Sequence, residues 1–306
     1  YMKYILMGVP FMTAAITVNN QLRFQGNAFY SMIGITSGGV LNMVLDPLFI
    51  FTFKMGVGGA AIATSISQIV SFVLLFVGTY RKGIPIKFKN FKPSAHIIRQ
   101  IPLGGFPSLA RQGCGSLATL CLNNVAGFYG DAAIAALSIV SKIMMFTASA
   151  MIGYGQGFQP VCGINYGAKL YSRVKKSFWF CVKSSFAALL LFALIGFVFA
   201  PHIVAVFRDD PAVIEIGTAA LKWQCISFPL TGFIVLCNMM AQTIGKAARA
   251  TVLSMSRQFI FFIPALFIMR HFFALSGIEA AQAISDVCSF IISVPIGLSV
   301  LKQMKE

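Results

Sequence analysis

Nine stretches of this chain, near residues 2–19, 28–53, 57–80, 101–127, 132–160, 177–201, 213–241, 250–270 and 275–301, are apolar and long enough to cross a bilayer. About 20 helical residues span a hydrocarbon core of roughly 30 Å. A chain of 306 residues so filled makes about nine crossings and leaves little for an aqueous domain. With 58% hydrophobic and 10% charged residues, it is not a soluble globular protein.

A net charge of +16 suggests nucleic acid in a soluble chain, but here it is read through topology. If the connection after the first span is cytoplasmic, that side holds fifteen cations: Arg23, Arg81, Lys82, Lys87, Lys89, Lys92, Arg99, Lys169, Arg173, Lys175, Lys176, Lys246, Arg249, Lys302 and Lys305. The other side holds four, Lys3, Lys54, Arg208 and Arg270, with Asp131, Asp209 and Asp210. Lys and Arg collect in cytoplasmic loops, so the C-terminus is expected in the cytoplasm and Tyr1 outside. The basic segment 81–97 reads as a cytoplasmic linker facing anionic lipid, with no nucleic acid as partner. It separates residues 1–80, with three spans, from residues 98–306, with six.

The last three spans echo the first three. Asn20-Gln-Leu-Arg-Phe-Gln-Gly26, Pro47-Leu-Phe-Ile50 and Gly58-Gly-Ala-Ala-Ile-Ala63 have counterparts in Met240-Ala-Gln-Thr-Ile-Gly245, Pro264-Ala-Leu-Phe-Ile268 and Gly277-Ile-Glu-Ala-Ala-Gln-Ala283. Repeated halves of this kind mark secondary transporters. Six spans per half implies that the first half here lacks three. A chain opening on Tyr1 inside an apolar segment reads as a fragment.

No G-x-x-x-x-G-K-[ST], H-E-x-x-H or G-x-S-x-G occurs. The G-x-G-x-G run within Gly153–Pro160 follows no strand and is not a dinucleotide loop. The histidines His96, His202 and His271 lie near span ends, and the seven cysteines read as free thiols. Without a nucleotide site, an ion or substrate gradient must supply the work.

Ionisable groups at membrane depth are costly and mark function. Asp46 lies inside the second apolar stretch with Asn42 one turn before it, and i, i+4 spacing stacks the two on one helix face. A carboxylate and an amide carbonyl suit sodium, or a proton held on the acid, and Thr64 on the next span adds a hydroxyl. The competing reading is that Asp46 only caps the Asp-Pro turn. Gln112, Asn123, Asn124, Gln156 and Gln159 either line a substrate cavity or bond neighbouring helices. Arg111, Lys142 and Arg257 need partners, and Asp286 is placed by depth to neutralise one of them. Fourteen methionines and thirty phenylalanines provide a pliable apolar wall.

The segments Asn19–Asn27, Leu41-Asn-Met-Val-Leu-Asp-Pro-Leu-Phe-Ile-Phe51, Met55–Thr64 and Gly155-Gln-Gly-Phe-Gln-Pro-Val-Cys-Gly-Ile-Asn-Tyr-Gly-Ala168 resemble the multidrug and toxic compound extrusion (MATE) family, in its DinF-like branch. The resemblance implies an all-α, two-lobe helical bundle with about nine of twelve transmembrane helices present. It implies antiport of organic, often cationic drugs across the plasma membrane by alternating access, driven by protons or sodium at Asn42, Asp46 and Thr64. A monomer without cofactor, and with no metal beyond that sodium, is expected. Another branch of the family uses second-lobe acids on span seven, where this chain carries Arg111 and Gln112 instead. A lipid-linked oligosaccharide flippase of the same superfamily is the nearest alternative, and a membrane-embedded enzyme the next.

Overall fold

The computed structural model describes residues 2–82 and 94–304, so residues 83–93 of the basic linker lie outside the described part. Every regular element among the described residues is helical. The order is α1 (Met2–Phe24), α2 (Ala28–Pro47), a π-helical turn (Leu48–Thr52), α3 (Gly56–Lys82), α4 (Ala95–Gly127), α5 (Asp131–Gly167), α6 (Tyr171–Val198), α7 (Ala200–Phe207), α8 (Pro211–Thr243), α9 (Ala247–Met255), a second π-helical turn (Ser256–Ile260) and α10 (Phe262–Gln303).

All nine apolar stretches are helical, and six helical segments among the described residues are long and apolar enough to cross a membrane. The last of the six, Ala247–Gln303, has 57 residues, enough for two crossings, and it breaks at Ala274 (φ 50°, ψ −123°). Polar residues keep α1 and α4 out of the six: Lys3, Asn19, Asn20 and Gln21 in one, Arg111, Gln112, Asn123 and Asn124 in the other.

The chain divides into two compact units, Tyr1–Lys92 and Pro93–Glu306. In the first, α1 and α2 pack on α3 around Ala15, Val18, Leu22 and Leu75. Lipid offers no hydrophobic drive between helices, so close backbone approach and hydrogen bonds must supply the association. The Ser71 hydroxyl donates to the Gly34 carbonyl at 2.8 Å, and the Ser65 hydroxyl to that of Tyr4 at 2.8 Å. At Gly38 a Cβ would stand 2.8 Å from the Ser71 Cβ and 3.1 Å from the Ser67 carbonyl oxygen, so only glycine lets α2 lie this close to α3.

In the second unit α8 is the hub. Its apolar window is 72% buried, against 11–39% for the other five spans, and α5, α6 and α10 pack around it. Phe158, Phe178, Phe233 and Phe290 join these four helices through ring pairs at 6.2, 6.0 and 5.4 Å. Asp210 caps α8 by accepting from the Ala212 N–H at 3.1 Å, with Pro211 at the first helical position.

The internal echo reappears as matched hydrogen bonds. The Asn19 side-chain amide donates to the Ser31 carbonyl at 2.9 Å and the Asn238 amide to that of Ala250 at 2.7 Å, each spanning twelve residues. Between them α1 ends on Gly26 (φ 85°) and α8 on Gly245 (φ 78°). Each left-handed glycine permits the next N–H to reach back five residues, Asn27 to Leu22 and Lys246 to Ala241, both at 2.9 Å.

Candidate cation site

Asn42 and Asp46 occupy successive turns of one α2 face, and the next residue is Pro47. Proline has no N–H for the helix ladder, and the backbone beyond it widens into the π-helical turn, where the Phe53 N–H bonds the Leu48 carbonyl at 3.0 Å. Single π-turns inside helices recur at functional sites.

The Asn42 Nδ2 group donates to Asp46 Oδ1 at 3.1 Å and, more weakly, to Thr64 Oγ1 on α3 at 3.4 Å. The Thr64 hydroxyl donates to the Ala60 carbonyl at 2.9 Å, which leaves its oxygen turned to Asn42 as an acceptor. All three side chains are half-buried. Among the described residues Asp46 enters no ion pair. The arrangement therefore offers oxygen ligands with one uncompensated negative charge, a set suited to a monovalent cation or a proton.

The five candidate cavity residues are more scattered. Gln112, Asn123 and Asn124 are exposed on α4, while Gln156 and Gln159 are half-buried on α5. Two cavities found in the second unit are lined by other residues, one of them a groove of about 520 Å³ along Pro295, Leu298, Ser299, Lys302 and Gln303.

Asp286 pairs with Arg257. Nε meets Oδ1 at 2.6 Å and Nη2 meets Oδ2 at 3.2 Å, a bidentate fork. Gln282 donates to Oδ1 at 3.1 Å and Ser227 to Oδ2 at 3.3 Å, so this fully buried carboxylate is saturated. Gln282 precedes Asp286 by one turn, the same spacing that singles out Asn42 and Asp46, and that signal was available in the sequence. Ser227, on α8, carried none. All seven cysteines are free thiols.

Among the described residues the fold is that of an all-helical, multi-pass membrane protein with a repeated hairpin. The MatE family profile matches residues 107–268, more than half of the chain, and the chain belongs to the MatE family. It is similar to the multidrug export protein MepA of Staphylococcus aureus (strain N315), 29% identical over 289 residues, covering 94% of this chain and 63% of that protein. It is also similar to MepA of Staphylococcus saprophyticus subsp. saprophyticus, 27% identical over 292 residues, covering 94% and 64%. The chain thus spans less than two thirds of these relatives' length. The crystal structure of MATE in complex with MaL6 superposes with a TM-score of 0.93 at 25% identity, covering 99% of this chain and 70% of that one.

Proposed function

We propose that the protein of which this chain forms a part exports organic, often cationic compounds across the plasma membrane by antiport, with protons or sodium taken up at Asp46. The observation that carries the reading is the Asp46 carboxylate, without an ion pair among the described residues and held by Asn42, whose amide also reaches Thr64 across the α2–α3 contact. An intramembrane charge without a counter-ion is costly unless a cation arrives to neutralise it. The multidrug export activity named for the MepA relatives supports the transport side, as does membership of a family of transporters rather than enzymes.

In this reading the cation and the organic substrate favour opposite conformational states, and each drives out the other. The DinF-like coupling set is Asn42, Asp46 and Thr64. Gln112, Asn123, Asn124, Gln156 and Gln159 belong to the substrate path. The transporter works as a monomer without cofactor, its C-terminus in the cytoplasm. Drug efflux by cells expressing the complete gene is the test: Asp46→Asn removes the charge, keeps the shape and abolishes efflux, and full efflux by that variant would refute the proposal.

A further inference from the structure

We infer that the second unit binds an anionic group, a carboxylate or phosphate carried by an amphiphilic transported molecule, at Arg111. The inference rests on the transport reading above and gives it a second substrate chemistry.

Arg111 sits near the middle of the apolar stretch 101–127, about 15 Å of helix from its nearer end at 1.5 Å per residue. Its Nε is buried and has no hydrogen-bond partner, and Arg111 forms no ion pair with any described residue. The contrast with Arg257 is sharp, since that guanidinium is neutralised by Asp286. Asp286 cannot serve both, because Arg257, Gln282 and Ser227 already fill its two oxygens.

The setting of Arg111 is a polar seam, not a lipid-facing surface. Ser108, one turn before it, accepts from the Gln242 side chain of α8 at 2.8 Å. At Gly115, one turn after it, a Cβ would stand 3.1 Å from Gln258 Oε1 of the second π-turn. Residues at i−3 and i+4 share the face of Arg111, so the groups that flank it on that face are the amides of Gln242 from α8 and Gln258 from the second π-turn. Lys142, in the first third of α5, is exposed and also without an ion pair among the described residues. Two unpaired cations at membrane depth require water or an arriving anion. A guanidinium answers the second need by geometry, since its planar fork takes a carboxylate or phosphate through two parallel hydrogen bonds. Lipid headgroups carry the same chemistry but reside at the membrane surface, well away from this depth.

The test uses the complete transporter, purified in phospholipid-free detergent, and three probes that share one arene: pyrenebutyrate, neutral pyrenebutanol and a pyrenebutyl-trimethylammonium cation. Arg111→Gln is expected to weaken pyrenebutyrate binding at least about 10-fold, the size of a lost charge-assisted hydrogen-bond pair, and to leave the other two within about 2-fold. Equal pyrenebutyrate affinity in the variant and the wild type overturns the inference. Should Arg111→Gln bind no probe, Arg111→Lys decides: a several-fold loss confined to pyrenebutyrate supports the fork, and unchanged affinity overturns it. Displacement of pyrenebutyrate by added phosphatidic acid, with no pyrenebutyrate export by cells, assigns the site to lipid and overturns it as well. Export of the cation probe with an indifferent Arg111→Gln sinks this inference alone. Loss of pyrenebutyrate binding in Arg111→Gln, with no wild-type export of any probe, sinks the transport reading and leaves an anion site standing.

Discussion

Asp46 and Asp286 are both membrane-depth aspartates with an amide one turn before them, yet their environments assign opposite tasks. Asp286 is saturated by an arginine fork, a glutamine and a serine, while Asp46 has, among the described residues, one amide donor and no counter-ion. A saturated buried pair is a fastener. Asp286→Leu strands the Arg257 charge and is expected to destabilise the fold by about 3–5 kcal/mol, whereas Arg257→Met combined with Asp286→Leu restores most of the loss. Thermal unfolding of the complete protein in detergent reads both. The under-satisfied Asp46 instead predicts a functional defect: Asp46→Asn leaves the melting temperature nearly unchanged and lowers efflux of a fluorescent cation at least about 10-fold, while Thr64→Val, which removes the 3.4 Å contact with Asn42 and a local bond to the Ala60 carbonyl but no charge, costs less. The Asn42, Asp46 and Thr64 grouping was legible in the sequence because two members lie on one helix turn. The Arg257 and Asp286 pairing was legible only in part: depth set Asp286 against one of Arg111, Lys142 and Arg257, and helical spacing is silent on which of them arrives.

At the scale of elements, the helices were legible from apolar length, and the break in the last long one was legible in place but not in cause. The sequence separates stretches 250–270 and 275–301, and the structure divides them at Ala274, but neither glycine nor proline stands there to announce it. The cost is visible in the backbone, for φ 50° with ψ −123° is a region glycine occupies and alanine resists. Ala274→Gly is expected to stabilise the protein by about 1 kcal/mol by relieving that strain, against the usual penalty of glycine in a helix. A raised melting temperature in detergent bears this out, and a lowered one contradicts it. The opposite lesson comes from Gly38, one turn before Asn42. Any larger residue there must push α2 off Ser71 and the Ser67 carbonyl. Gly38→Val is therefore expected to lengthen the Asn42–Thr64 contact and impair efflux, although the substituted residue touches no ligand of the proposed site.

For the whole molecule, charge and exposure speak of one environment. Large apolar side chains stand open, among them Val206 at 85%, Phe146 at 78% and Met43 at 75% exposed, as suits a surface wetted by lipid tails. The fifteen-to-four division of cations predicts the sidedness: a fluorescent protein fused after Glu306 matures in the cytoplasm, and an alkaline phosphatase fused there stays inactive, with the reverse pattern refuting the topology. Fold class was legible at this scale because a membrane leaves a chain so few options. The paired asparagines carry a further consequence for variation. Each amide hands its proton to a backbone carbonyl, that of Ser31 or Ala250, and a carbonyl is present whatever side chain its residue bears. Drift is therefore cheap at Ala250 and ruinous at the giving end of each bond, while Ser31, whose hydroxyl also meets the Asn19 amide at 2.6 Å, stands between the two. A saturation scan of the two hairpins should find position 250 permissive toward small residues, position 31 restricted to those that keep a hydroxyl, and positions 19 and 238 closed to everything but asparagine.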